Sequence, residues 1–268
     1  MDTFSLYCKS YRGDLDRAKV LAESVQKYNK DNIPFYFSVP TEDIELFKSA
    51  IPDVTILSDA DIMDTLVTNK FVGWVSQQMV KSNFWKLGLS KNYLVLDSDC
   101  QFITDFKLDD FMYDEETPYT VCHEQKELWN WSVLHTHELG FNPKISFTED
   151  RLRIMELFGR SGKVLDFGPV PVIWSSEVWK VFETVLAENK LTWLDVMKIT
   201  PSEFTWYGET LMYSQVIRLV PVEPLFKVFH YYQQYMEYKR NGITLENIAQ
   251  NYLGVVLQSN WPQKVSHY

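Results

Sequence analysis

The composition of the chain sets the first limits on its function. It has 268 residues, of which 46% are hydrophobic, and a formal net charge of −10 at pH 7. This acidic balance argues against a nucleic-acid partner, because phosphate backbones attract basic surfaces. No apolar stretch approaches the ~20 residues of a membrane-spanning helix, and the first residues, Met1-Asp2-Thr3-Phe4, lack the basic region of a signal peptide.

Cysteine usage favours a reducing compartment. Cys8, Cys100 and Cys122 form an odd, widely separated set that has neither the spacing of a zinc site nor that of a disulfide framework. We therefore expect reduced core thiols in a cytoplasmic protein.

Strand and helix patterns alternate through the first third of the chain. The apolar periodicity predicts strands over 4–8, 34–39 and 54–57, a helix over about 14–29, a short helix over 42–49 and a long helix over 75–89. Such alternation is typical of an α/β fold with a doubly wound, mainly parallel central sheet flanked by helices. In folds of this kind the ligand binds at the carboxyl edge of the sheet.

The alternation of predicted strands and helices changes after residue 110. Strands are predicted over 119–122 and 170–174, on either side of a variable region over 123–165 that we expect to supply acceptor-binding loops. Helices are predicted to begin near Ser175 and after Thr200, with Pro201 in the first turn, and the tail from Ile243 has an amphipathic helical pattern. We expect one domain over 1–268, with a nucleotide and metal half over 1–110 and an acceptor half with C-terminal helices over 111–268.

Two carboxylates follow the most apolar strand of the chain. Asp-x-Asp occurs three times, at 14 and 16, 59 and 61, and 97 and 99. The first two pairs fit helix starts or turns, where acidic residues suit the helix dipole. Only Asp97 and Asp99 follow a continuous apolar strand that itself follows a long helix, which is how α/β enzymes place metal ligands at a sheet edge.

In these residues the chain resembles the nucleotide-sugar-dependent glycosyltransferases of the GT-A fold. More narrowly, it is similar to small bacterial transferases of surface-polysaccharide and lipopolysaccharide synthesis that were formerly grouped as a domain of unknown function. The resemblance is carried, in this order along the chain, by residues 6–12, 77–81, 94–99 and 202–208. It implies transfer of a sugar from a nucleotide diphosphate sugar, most simply a UDP-sugar, to a saccharide or lipid-linked saccharide. It also implies a location in the cytoplasm or at the inner face of the cytoplasmic membrane.

The resemblance implies a divalent metal, Mn²⁺ or Mg²⁺, whose preferred ligands are hard oxygens. Asp99 would bind the metal directly, and Asp97 would contact it through water or bind the ribose. His230 is the candidate for a third ligand. Each has an alternative: the two acids would cap a turn, and the histidine would be a hydrogen-bonded core residue.

Donor contacts are predicted on two segments. Ser10, Tyr11 and Arg12 follow the first strand, where the resemblance places the base and ribose. Gln78 and Lys81 lie on one helical face just before the metal strand and are candidates for phosphate or sugar contacts. Alternatively, Arg12 would be an ordinary surface charge, and the helix face that carries Gln78 and Lys81 would be exposed to solvent.

An inverting transferase needs a carboxylate that takes the proton of the acceptor hydroxyl. The resemblance assigns this role to Glu203, with Glu209 in reserve. Thr200 and Glu203 also have the spacing of a capping box, which would give Glu203 a purely structural role.

Two other classes of protein remain open. A phosphatase of the haloacid dehalogenase type also places Asp-x-Asp after an apolar strand, but its motif normally lies near the N-terminus and expects Thr or Val where this chain has Gln101. A non-catalytic carbohydrate-binding module would use the aromatic residues, 15% of the chain, to bind sugar.

Overall fold

The structure is a computed structural model that describes residues 2–70, 73–258 and 261 of the chain. The strands are β1 (Asp2–Lys9), β2 (Phe35–Val39), β3 (Thr55–Ser58), β4 (Ser90–Asp97), β5 (Cys100–Phe102), β6 (Thr120–Val121), β7 (Val172–Ser175), β8 (Pro221–Val222), β9 (Phe226–Phe229) and β10 (Gly254–Leu257). The helices are α1 (Leu15–Tyr28), α2 (Ile44–Ala50), α3 (Asp59–Ile62), α4 (Thr65–Thr68), α5 (Gly73–Asn83), α6 (Lys126–Leu134), α7 (Thr136–Leu139), α8 (Pro143–Leu157), α9 (Ser176–Glu188), α10 (Trp193–Ile199), α11 (Glu203–Ser214), α12 (Tyr232–Arg240) and α13 (Leu245–Ile248). Short 3₁₀ segments occupy Arg12–Asp14, Thr41–Asp43, Phe84–Leu87 and Leu108–Asp110.

The central sheet has the order β3-β2-β1-β4-β7. The first four strands run parallel, and β7 is antiparallel to β4. The expectation of a mainly parallel α/β sheet flanked by helices is therefore confirmed. The strand order reverses between β1 and β4, so their carboxyl ends form the switch point at which open sheets bind ligands.

Alternate residues of β4 enter two different cores, because successive side chains of a strand point to opposite faces. Leu94 and Leu96 pack with the buried side of α1, while Tyr93 and Val95 pack with α5, α9 and α11. Both faces of the strand are thus covered, which explains its continuous apolar run. This double burial holds the end of β4 in place.

A second sheet, of order β5-β10-β9, starts immediately after the Asp-x-Asp segment. β10 runs antiparallel to β5 and parallel to β9. The helical pattern expected for the tail from Ile243 is therefore wrong beyond α13, since Gly254–Leu257 forms a strand. Val255 and Val256 are β-branched and buried, which suits a strand that has a partner on each side.

Other predicted bounds differ in detail. The long helix ends at Asn83, and the 3₁₀ segment after it stops at Gly88, which has a φ of 63°, a conformation that glycine adopts at helix ends. The region 123–165 contains α6, α7 and α8 rather than loops alone. Across the described residues no helix combines the length and the apolar character needed to cross a membrane.

Candidate active site

The carboxyl ends of β1 and β4 meet in the middle of the sheet edge. Asp97 ends β4 and pairs in register with Lys9 at the end of β1. Asp99 follows after one residue and is 7% exposed, and its backbone carbonyl accepts a hydrogen bond of 3.2 Å from the amide of Leu257. Both acids therefore lie at the switch point of the sheet.

A buried lysine from α5 lies against Asp97. The Lys81 side chain is 2% exposed, and its ammonium group forms an ion pair with Asp97 Oδ1. The same oxygen accepts a hydrogen bond of 3.0 Å from Gln77 Nε2. Burial alone would lower the pKa of Lys81, but the carboxylates of Asp97 and Glu203 outweigh burial and raise that pKa, so the side chain remains a cation at neutral pH.

Glu203 also lies near this cation. It is the first residue of α11, its side chain is 4% exposed, and its Oε1 lies 4.0 Å from Lys81 Nζ. The Glu203 backbone amide donates a hydrogen bond of 3.3 Å to Gln78 Oε1, which connects α11 to α5. Burial raises the pKa of Glu203 from 4.5 to about 7. Such a value suits a general base at neutral pH.

The capping box of Thr200 and Glu203, which is the structural alternative, is not present among the described residues. Ser202 is the cap of α11 and makes no side-chain capping hydrogen bond within the described residues. Thr200 Oγ1 donates instead to the carbonyl of Ile199 at 2.6 Å. Pro201 precedes the cap rather than lying in the first turn of the helix. Glu203 is therefore not paired with Thr200, and its carboxylate lies near Lys81.

Glu209, the reserve base, has a different environment. Its side chain is fully buried, and its two oxygens each accept a hydrogen bond of 2.5 Å from Arg160. A bidentate pair of this kind fixes geometry as well as charge. Sequence patterns did not indicate Arg160 as a partner, because 49 residues separate the two side chains. Any role of Glu209 as a base remains a prediction.

A cleft of about 630 Å³ adjoins the carboxyl ends of β1, β2 and β3. We call it the donor cleft, and its lining includes Lys9, Tyr11, Asp59, Trp74 and Gln77. The side chains of Tyr11 and Trp74 are about half exposed, so both offer an aromatic face to a ligand. Lys9 forms an ion pair of 2.8 Å with Asp59, and sequence patterns did not indicate that contact.

Ser10, Tyr11 and Arg12, the predicted donor contacts after β1, have three different environments. The hydroxyl of Ser10 is buried and lacks a hydrogen-bond partner among the described residues. The Tyr11 ring covers Gly13, where an added Cβ would come within 2.5 Å of it, so a larger residue at that position would displace the half-exposed ring. Arg12 is tied to Asp43, with Nε 2.6 Å from Oδ1 and the backbone amide 2.8 Å from Oδ2. Arg12 thus anchors the loop and does not line the donor cleft.

His230 follows β9 and is half-buried. Burial lowers its pKa to about 4, so the imidazole is neutral at pH 7. Phe229 pairs with Leu257, whose amide in turn contacts the Asp99 carbonyl. His230 therefore lies along the same sheet edge as Asp99, two strand spacings or about 10 Å away.

The donor atoms of the two acids at this sheet edge suit a hard divalent metal ion. Asp97 and Asp99 present carboxylate oxygens, which fit Mg²⁺ or Mn²⁺. Among the described residues, however, no three His, Cys, Asp or Glu side chains lie close enough together to hold a metal ion. Asp97, Asp99 and His230 therefore do not form such a group in the described residues, and their role as metal ligands remains a prediction.

The chain matches a known protein family and is similar to solved structures. No curated protein matches it. Among solved structures it is similar to the apo form of mouse xyloside xylosyltransferase 1, with 11% sequence identity, a TM-score of 0.47, and coverage of 98% of this chain and 100% of that one. Residues 4–241 match the family of unknown function DUF6492. Since that match extends over most of the sequence, the chain belongs to this family of unknown function.

Proposed function

We propose that the protein is a metal-dependent glycosyltransferase. It would move a sugar from a nucleotide diphosphate sugar, most simply a UDP-sugar, to a saccharide or lipid-linked saccharide acceptor in bacterial surface-polysaccharide synthesis. The observation that carries the proposal is the grouping of Asp97, Asp99, Lys81 and Glu203 at the switch point, next to the donor cleft.

The site is suited to a negatively charged donor only when a cation accompanies it. Asp97 and Asp99 would repel a diphosphate, and Lys81 compensates one of them. The two acids would hold Mn²⁺ or Mg²⁺, which supplies positive charge opposite the leaving diphosphate. Lys81 would keep Asp97 in place and add a fixed positive charge close to the leaving group.

The donor cleft would take the nucleoside. Tyr11 and Trp74 line the cleft and offer stacking surfaces, whereas Ser10 is not among the residues that line it, so its contact with the donor remains a prediction. Gln77 and Gln78 belong to the helix that carries Lys81. Gln77 donates a hydrogen bond to Asp97, and Gln78 accepts one from the first residue of α11.

Glu203 would act on the acceptor if the reaction inverts the anomeric configuration. It would accept the proton of the attacking hydroxyl as the bond to the sugar carbon forms and the bond to the diphosphate breaks. Its pKa of about 7 leaves a large fraction of the carboxyl ionised at neutral pH.

Binding of UDP with and without metal tests the proposal. Calorimetry should show UDP binding in the presence of Mn²⁺ and little binding in EDTA, because the two acids then repel the diphosphate. The protein should also hydrolyse one or more UDP-sugars slowly in the presence of Mn²⁺, which neither a binding module nor a phosphatase selective for phosphomonoesters would do. Equal affinity for UDP in EDTA would argue against the metal bridge.

A further inference from the structure

A second cavity, of about 420 Å³, lies beside the end of β9. Its lining includes His123, Gln125, Glu223, His230, Gln234 and Tyr252, and it shares no residue with the lining of the donor cleft. The volume is within the range of sites that bind small molecules. We call it the β9 cavity.

The polar wall of the β9 cavity is held by buried hydrogen bonds. His123 Nε2 donates to the carbonyl of Gly168 at 2.8 Å, and its Nδ1 lies 3.3 Å from Glu223 Oε2. Asp166, which is buried, accepts hydrogen bonds from Gln125 Nε2 at 2.5 Å and from Arg151 Nη2 at 2.7 Å. Burial opposes ionisation of Asp166, but the Arg151 ion pair outweighs burial and lowers its pKa. The wall is therefore preorganised.

This wall is connected to the proposed catalytic carboxylate through Gly168. A Cβ at Gly168 would lie 2.9 Å from the ring of Phe204, the residue that follows Glu203. The same glycine accepts the hydrogen bond of His123. Pro169, which follows Gly168, lines the β9 cavity, so the cavity wall is in contact with the segment that carries Glu203, and the cavity adjoins the sheet edge through His230.

The charged residues that line the β9 cavity indicate which charge its ligand would carry. Lys227 is ion-paired with Glu127, and Lys126 lies 3.3 Å from Glu124, so both lysines of the lining are compensated. Glu223 has an 84% exposed side chain, and in the described part of the chain its ion-pair partner is His123 rather than a lysine or arginine. An anionic ligand would meet this uncompensated carboxylate. Hydroxyl groups, in contrast, would donate to the carboxylate and amide oxygens of the lining.

We propose that the β9 cavity binds the acceptor and that the acceptor unit it holds is an uncharged saccharide. Its ring hydroxyls would donate to Glu223 and exchange hydrogen bonds with Gln234, while an apolar sugar face lies against Tyr252. The assignment of this saccharide as the acceptor rests on the proposed transferase function. The preference for an uncharged sugar rests on the cavity alone.

Saccharide binding without donor tests this directly. Saturation-transfer NMR and competition titrations would compare methyl glucoside, methyl galactoside, methyl mannoside and methyl N-acetylglucosaminide with methyl glucuronide, which carries a carboxylate. The wild type should bind at least one uncharged glycoside more tightly than the glucuronide. Glu223→Lys reverses the charge and should lower that selectivity ratio about tenfold at low salt. Glu188→Lys, an exposed site at the end of α9, is the matched control and should behave as wild type.

The outcomes separate this inference from the transferase function. A Glu223→Lys variant with the wild-type selectivity ratio, or a wild type that binds none of the uncharged glycosides, would overturn the inference. If Mn²⁺-dependent hydrolysis of UDP-sugars persists in that case, the proposed function is unaffected. If saccharides bind as expected but UDP neither binds nor is hydrolysed, the cavity assignment stands and the transferase function fails.

Discussion

The ammonium group of Lys81 lies 4.0 Å from a carboxylate oxygen of Glu203 and also forms an ion pair with Asp97. One cation, carried by α5, therefore joins the strand that bears the proposed metal ligands to the helix that bears the proposed base. All three side chains belong to sequence segments that pointed to a site, and the structure brings them together.

Replacement of Lys81 by Met should leave two acids at the site without their cation. Glu203 would then keep its proton to higher pH, because Lys81 lowers the pKa that burial raises. We expect the pH-rate profile to move to the alkaline side and turnover at pH 7 to fall about tenfold or more. Lys86→Met is the control, since Lys86 pairs with Glu183 at the surface. Equal pH profiles in the two variants would show that Lys81 does not tune the base.

Asp99→Asn should remove turnover while the fold persists. The substitution removes a charged ligand and almost no volume, so the melting temperature should stay close to that of the wild type. Mn²⁺-dependent UDP binding, measured by calorimetry, should be lost with the activity. Asp109→Asn, in an exposed 3₁₀ turn, should retain both. A fully active Asp99→Asn protein would place the metal elsewhere.

His230→Ala separates two roles for this histidine. As a metal ligand, the neutral imidazole would be replaced by water, and the Mn²⁺ concentration for half-maximal activity should rise about tenfold. His137→Ala, on the exposed α7, is the control. If His230→Ala leaves the Mn²⁺ dependence unchanged but weakens saccharide binding, the residue belongs to the β9 cavity alone.

Glu209→Gln should lower the stability of the folded protein. The substitution leaves Arg160 opposite a neutral side chain in the interior, and the loss of one partner of a buried pair typically costs about 3 kcal/mol or more. Chemical denaturation should show a lower free energy of unfolding, with turnover of the remaining folded protein near that of the wild type. A stable Glu209→Gln protein without turnover would instead make Glu209 the base.

Local patterns identified the central sheet well. β1 and β4 are short apolar runs with turn or acidic residues at their ends, and each is buried on both faces, so composition and period agree with the fold. The Asp97 and Asp99 segment is predictable for the same reason, since it follows directly from the end of β4.

Contacts between segments that are distant along the chain could not be predicted from the sequence. The strand Gly254–Leu257 is defined by its pairing with β5 and β9, and neither partner is local. The pairs Arg160 with Glu209 and Lys9 with Asp59 likewise depend on which segments the fold brings together. Periodicity reports the burial of a residue and says nothing about its partner, so these features required the structure.

The last prediction concerns Glu203 and its dependence on pH. A general base must be ionised, so turnover should rise as the pH increases through about 7. Stability should change in the opposite direction. The folded pKa is raised from 4.5, so the contribution of Glu203 to stability is fully present below pH 4.5 and is lost as the pH rises through about 7.

Glu203→Gln should remove both effects. The variant should bind UDP and Mn²⁺ normally, because the base contacts the acceptor, but it should not turn over. Between pH 4.5 and 7 the wild type should lose on the order of 3 kcal/mol of unfolding free energy relative to the variant. Denaturation at several pH values, together with initial rates, measures both quantities. If the pH dependence of stability disappears while turnover persists, Glu203 is buried and titrates as expected but is not the base. The reaction then uses another carboxylate or retains the anomeric configuration.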